Sequence, residues 1–147
     1  MERKHNLPNL IIGGVHKAGT TSLHTYLSMH PDVCGSLIKE LAFLLPARYN
    51  QEVPNNDVYA THFKHYNNEK LVLETTPSYL YGGLPLINFI NERLGDDVKM
   101  IFLGPKDKSF ESYLESVVGE KLNRTIFFID PVEQHELLAI TEKAIFG

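Results

Sequence analysis

Residues 10–23 read LIIGGVHKAGTTSL, and this stretch decides the fold. Leu10, Ile11 and Ile12 are apolar and β-favouring, as a strand buried on both faces must be. Gly13, Gly14 and Gly19 let the backbone turn tightly and approach a ligand closely. Thr20, Thr21 and Ser22 then open a helix. The free N–H groups of a first helical turn, at the positive end of the helix dipole, hold an anion without a cationic side chain. Lys17 adds a cation to the same loop. A strand, a glycine-rich turn and a helix in this order predict an anion-binding βα unit.

The spacing from Gly14 to Gly19 is that of a nucleotide P-loop, yet Thr20 follows the second glycine and the lysine lies inside the loop. A magnesium-triphosphate site uses the lysine of GK[ST]. A lysine two residues before the second glycine instead reaches a bridging oxygen on a phosphate-linked group. Further motifs accompany the loop: HPDV at 30–33, KELAF at 39–43 and ETTPSYL at 74–80. Together they resemble the sulfotransferases that use 3′-phosphoadenosine-5′-phosphosulfate, most closely the bacterial and heparan-type branch, whose pattern runs strand, KxGTTSL, helix, HP and KEPxFF. The resemblance implies a three-layer α/β, P-loop-like fold with a mostly parallel central sheet. It also implies that Lys17, Ala18, Gly19, Thr20, Thr21 and Ser22 bind the donor, that Lys17 serves the leaving phosphate oxygen, and that Glu40 is the general base. A lysine that often follows the glutamate of the E-x-[TS]-P-x-Y segment is replaced here by Thr75.

At 147 residues, 43% hydrophobic and 22% charged, the chain has the composition of one ordinary globular domain. Its net charge of −4 gives no general attraction to nucleic acid or anionic membrane, so an anionic ligand must be held by a local site. Cys34 is the sole cysteine, which excludes an intrachain disulfide. No stretch approaches the roughly 20 apolar residues of a membrane span, and residues 1–10 lack a signal-like apolar core. The expectation is a soluble, cytoplasmic protein with neither a nucleic-acid nor a membrane partner. The triplet Asn123-Arg124-Thr125 matches a glycosylation site but carries no weight without secretion.

Periodicity predicts a helix from Thr20 to Met29 with Leu23, Tyr26 and Leu27 on one face, ended by His30-Pro31. His24 and His30 read as surface or capping residues. Val33 to Gly35 predicts a short strand, and the Asn-, Tyr- and His-rich piece from Pro46 to Asn68 a loop with one short helix around Tyr59 to Tyr66. His62 and His65 lie three apart but lack a third ligand, so no metal site is predicted. Lys70–Glu74, Val98–Leu103 and Thr125–Ile129 predict buried strands. Pro85–Leu94, Lys108–Glu120 and Pro131–Phe146 predict helices. Strands alternating with helices predict a parallel sheet with Leu10–Ile12 and Val98–Leu103 central, and ligands at the carboxyl ends of its strands.

After residue 103 the resemblance thins. The family continues with an arginine, Asp-Pro and a serine that together hold the donor's 3′-phosphate. Here the run is GPKDKSFESY at 104–113, with Gly104 at the aspartate position, the arginine missing and Glu111 at the serine position. Ser109, Ser112, Lys106 and Lys108 are substitutes for that grip. The late segment IDPVEQHELLAITEKAIFG at 129–147 matches again, so the portion between Tyr113 and Thr125 is short relative to the family. Three readings stand: a sulfotransferase acting on a hydroxyl or amine, a nucleotide- or phosphate-binding remnant of that family without turnover, and a P-loop kinase, the last disfavoured by the missing GK[ST].

Overall fold

Five short apolar runs become five strands. The computed structural model describes residues 6–14, 19–104, 112, 115–116, 118–129 and 134–146. The strands are β1 (Leu10–Gly14), β2 (Val33–Gly35), β3 (Leu71–Thr75), β4 (Lys99–Leu103) and β5 (Ile126–Ile129). They form one sheet in the order β2-β3-β1-β4-β5, and every neighbouring pair is parallel. The helices are α1 (Thr20–Ser28), α2 (Asn56–Ala60), α3 (Gly83–Leu94) and α4 (Gln134–Phe146), with 3₁₀ turns at Leu45–Tyr49, Thr61–Phe63, Pro77–Gly82 and Gly119–Lys121.

Both faces of the sheet are covered, which is why the strands read as unbroken apolar runs rather than alternating ones. On one face Leu10, Ile12, Leu73 and Ile101 pack with Leu23 and Leu27 of α1 and Ile145 of α4. On the other, Ile11, Val72, Met100 and Phe102 pack with Leu86, Ile90 and Leu94 of α3, and with Phe43, Tyr59 and Phe63. These are the three layers the sequence predicts. β1 is the middle strand, with β3 and β4 beside it.

Element boundaries differ from the expectations by one or two residues in most places, and the short helix of the 46–68 piece comes earlier, at Asn56–Ala60, where Asn55 caps it by accepting from the Val58 N–H. The inward face of α1 requires a correction. Tyr26 is exposed, and the buried stripe is Thr20, Leu23, His24 and Leu27. That spacing of three, one and three is the repeat of a single helical face, whereas Tyr26 lies about 100° around the helix from Leu27. His24 therefore occupies an inward position where a surface residue was expected. The helix expected over Lys108–Glu120 lies mostly outside the described residues.

The order of the strands places the site. The connection leaving β1 runs toward β2, whereas the connection leaving β4 runs toward β5. The carboxyl ends of β1 and β4 thus flank the point where the chain reverses its direction across the sheet, the location at which open parallel sheets bind ligands.

Candidate functional site

The glycines at the end of β1 are there for different reasons. A Cβ on Gly13 would lie 2.6 Å from a ring carbon of Phe102, and one on Gly14 would lie 2.9 Å from Leu80 Cβ and 3.1 Å from the Pro77 carbonyl. Both positions need glycine so that β4 and the Pro77–Gly82 turn can close against β1. Gly19 faces no such crowding, but its φ of 89° is left-handed. It is the N-cap of α1. A glycine offers no capping side chain, and the first turn carries no acidic residue, so no side chain of the cap neutralises the positive end of α1. Thr20 is buried, Ser22 half-buried and Thr21 exposed. Lys17 and Ala18, the other residues of the predicted loop, lie outside the described residues.

The second wall comes from the segment after β2, which runs along the end of β3 bonded to it. Ser36 N–H donates to the Leu73 carbonyl (3.0 Å), Glu40 N–H to the Thr75 carbonyl (2.8 Å) and Ala42 N–H to Thr76 Oγ1 (3.1 Å). Thr75 pairs in register with Ile12 of β1, and Thr76 N–H donates to the Ile12 carbonyl (2.9 Å). Glu40 is therefore tied by its backbone to the strand directly beside β1, at the level where β1 enters its glycine turn. The segment is also strained. Glu40 (φ 62°) and Ala42 (φ 51°) have left-handed backbones, and the other non-glycine residues with positive φ among those described are all asparagines, which tolerate it. Such conformations persist where surrounding bonds over-determine them, as at functional sites. The Glu40 carboxylate itself is exposed and lies 2.7 Å from Lys39 Nζ.

Beneath this segment lies a buried acid that sequence reasoning left without a role. Glu74, fully buried, accepts from Tyr59 Oη (2.8 Å) and Tyr79 Oη (2.7 Å), and Tyr79 Oη in turn accepts from the Leu44 N–H (3.0 Å). Burial pushes the Glu74 pKa up to about 7, against the pull of hydrogen bonds from Tyr79, Tyr59, the Phe43 backbone and Thr76. The same burial, with Glu74 beside them, raises both tyrosines well above their ordinary range. The signal was half present in the sequence: a glutamate closing an apolar run must find donors, and Tyr79 stands five residues on. Tyr59 is fifteen residues upstream and not legible as a partner.

His24 departs from its expectation in the same region. Its Nδ1 is 2.6 Å from Thr75 Oγ1, and burial, then the nearby Lys39 charge, lower its pKa to about 4. It is a neutral imidazole that ties α1 to the end of β3. His62 and His65 do not converge on a metal site: His65 Nε2 hydrogen-bonds the Gly35 carbonyl (2.8 Å) beside Cys34 Sγ (3.4 Å), while the His62 ring meets the ring of Phe43 edge-on. Among the described residues no three potential ligands group together. Burial and then Glu69 push the Cys34 thiol up to about 11, so it is an inert, protonated core residue.

The geometry has close parallels. The chain is 29% identical over 123 residues to the membrane-associated sulfotransferase kil1 of Dictyostelium discoideum, an alignment covering 81% of this chain and 25% of kil1. In fold it is similar to the crystal structure of a sulfotransferase from Alicyclobacillus acidocaldarius, with a TM-score of 0.55 and 25% identity over 95% of this chain and 58% of that one. In sequence and in fold, then, the chain is similar to sulfotransferases. No family model matches it. It spans a quarter of the length of kil1 and somewhat over half of the bacterial enzyme.

The structure brings Gly19–Ser22 and Glu40 to the carboxyl end of adjacent strands. It adds, at the end of β3, Glu74 with Tyr59 and Tyr79 on one face of the sheet and His24 bonded to Thr75 on the other. The residues weighed for the 3′-phosphate, Lys106, Lys108, Ser109 and Glu111, lie outside the described residues, and Ser112 is exposed. No described helix is long and apolar enough to cross a membrane.

Proposed function

We propose that this chain moves a sulfuryl group from 3′-phosphoadenosine-5′-phosphosulfate to an acceptor hydroxyl or amine. The observation that supports it best is the Glu40 amide bonded to Thr75, which itself pairs with Ile12, because it ties the residue bearing the carboxylate to the strand beside the one that leads to the uncapped N-terminus of α1. An in-line transfer needs little else: a base for the acceptor proton, donors for charge on the leaving phosphate oxygen, and a fixed line between them. Glu40 takes the proton as the acceptor oxygen or nitrogen bonds to sulfur. As the bond from sulfur to the bridging oxygen breaks, Lys17 and the first-turn N–H groups of Thr20–Ser22 hold the charge left on the 5′-phosphate. Lys39 Nζ, 2.7 Å from the Glu40 carboxylate, orients it. A cytoplasmic setting belongs to the proposal, since Cys34 is a buried free thiol.

The test is release of adenosine 3′,5′-bisphosphate from the sulfate donor in the presence of a panel of hydroxyl and amine acceptors. Turnover by wild type and its loss in Glu40→Gln, with donor binding retained, is the expected result. Donor binding without turnover on any acceptor identifies the second reading, a remnant that binds and does not transfer. The sequence at 104–113 favours that reading, since it lacks the arginine and carries Glu111 at the serine position. Magnesium-dependent ATP turnover instead identifies a kinase.

A further inference from the structure

Glu40 owes its place to a backbone held in the left-handed region twice within three residues, and something must hold it there. Two of the anchors come from the end of β3 and the residue after it, Thr75 and Thr76. The third is Tyr79, whose hydroxyl accepts from the Leu44 N–H while donating to Glu74 Oε1. Tyr79 cannot rotate its hydroxyl freely, because the buried Glu74 needs that donor; the carboxylate's other oxygen is already occupied by Tyr59. We propose that Glu74 acts as a positioning residue: through the Tyr79 hydroxyl it locks the 40–44 segment, and with it the Glu40 carboxylate, against the sheet. The inference rests on the sulfotransferase reading for its catalytic consequence and on geometry alone for its structural one.

The chain from Glu74 to Glu40 is short and directional. Glu74 fixes the Tyr79 hydroxyl, that hydroxyl fixes Leu44 N–H, and Leu45 N–H returns to the Ala42 carbonyl (3.1 Å), which closes the turn two residues from Glu40. The other tyrosine has no such reach. The Tyr59 hydroxyl donates to Glu74 and holds no backbone N–H of the 40–44 segment in the bonds described, and its ring packs face to face on Phe43 at 4.0 Å, a contact that phenylalanine would keep. Tyr59 and Tyr79 thus both hydrogen-bond one buried acid and both touch the segment that carries Glu40, but Tyr79 alone accepts a backbone N–H from it. Each tyrosine-to-phenylalanine change removes one tyrosine donor from the buried Glu74, and only Tyr79→Phe also frees Leu44 N–H, which is why the two are compared at matched stability.

Amide hydrogen exchange on the full chain, read by mass spectrometry over peptides containing residues 40–44, tests the structural step without requiring activity. Tyr79→Phe is expected to raise exchange there at least tenfold relative to Tyr59→Phe at matched thermal stability, while Glu74→Gln, whose amide oxygen still accepts from Tyr79, stays near wild type. Equal exchange in the two phenylalanine variants overturns the proposal. If Tyr79→Phe fails to fold, Glu74→Leu set against Glu74→Gln makes the same comparison, with faster exchange in Glu74→Leu expected and equal exchange overturning it. With the sulfate donor, Tyr79→Phe is expected to lower kcat by about tenfold with unchanged affinity for adenosine 3′,5′-bisphosphate, and Tyr59→Phe to leave kcat within twofold. A kcat that falls alike in both variants also overturns it. Absence of transfer by wild type removes the sulfotransferase reading and leaves the exchange result to decide the positioning role.

Discussion

The two walls of the site are built in opposite ways. The wall at β1 and α1 is close in sequence: Leu10–Gly14 and Gly19–Ser28 lie within one short stretch of the chain, with glycines at the strand end and at the helix cap. The wall at Glu40 is assembled from distant pieces, with Glu40 bonded to Thr75, Ala42 to Thr76 and Leu44 to Tyr79, each more than thirty residues apart in sequence. In the proposed reaction one wall would supply charge stabilisation from the backbone, and the other a single carboxylate placed by a buried network. The difference teaches that the first should tolerate substitution at its edges, whereas the second should respond to changes made well away from Glu40.

The largest effect is expected at the assembled wall. Removing a general base lowers turnover about 10²- to 10⁴-fold. Glu40→Gly is the sharpest form of the test, because glycine adopts a φ of 62° without strain, so folding is preserved while the carboxylate is lost. Steady-state kinetics should show kcat falling with donor affinity intact; unchanged kcat in a folded Glu40→Gly would remove Glu40 from the chemistry and leave the second wall structural.

At the local wall, Lys17→Ala should lower turnover about 10²- to 10³-fold, as loss of one donor aimed at developing charge does. It should also weaken calorimetric binding of adenosine 3′,5′-bisphosphate, while Cys34→Ala leaves that affinity unchanged. Equal affinity for wild type and Lys17→Ala would mean that backbone N–H groups alone make this wall.

A pH titration separates the walls by stability. Glu74 holds its proton more tightly folded than unfolded, since its pKa rises from 4.5 to about 7. Its contribution is therefore full below pH 4.5 and is lost as pH rises through 7, a swing of roughly 3 kcal/mol for a fully buried group. His24, lowered from 6.5 to about 4, works in the opposite sense: its contribution is full above pH 6.5 and lost as pH falls toward 4. Chemical denaturation of Glu74→Gln should accordingly show stability gaining on wild type as pH climbs from 4.5 to above 7. A constant difference across that range would show that Glu74 does not titrate in the folded chain.

The smallest effects are expected from the glycines. Gly14→Ala drives a Cβ against Leu80 and the Pro77 carbonyl and should destabilise by about 1–3 kcal/mol, as overpacking does. Gly19→Ala meets open space and should lose only about 1–2 kcal/mol through its left-handed φ. Thermal melts in which Gly19→Ala is the worse of the two would place the crowding at the helix cap instead of at the strand end.

Much of the architecture was legible beforehand because it depends on periods. Val98–Leu103 and Lys70–Glu74 could only be strands buried on both faces, and they became β4 and β3 within a residue. The inward face of α1 was misread at Tyr26 because i, i+3 and i+4 spacing from Leu23 admits a stripe on either side of it, and His24 took the inward place through a bond to Thr75 that lies 51 residues away. The Lys39–Glu40 pair was legible as part of a motif. Its strained backbone was not, since nothing local favours a positive φ at a glutamate or an alanine.

By itself, the sequence determined the parallel α/β sheet, the glycines at the end of its middle strand and the resemblance to sulfotransferases, because strand burial, backbone freedom and motif spacing are properties of contiguous residues. Only the tertiary structure decided that Glu74 takes both Tyr59 and Tyr79 as donors, that Tyr79 also holds the Leu44 N–H, and that His24 is buried and neutral. Those facts depend on which distant donor reaches a buried acceptor once water is excluded, and that is settled by packing rather than by any local pattern.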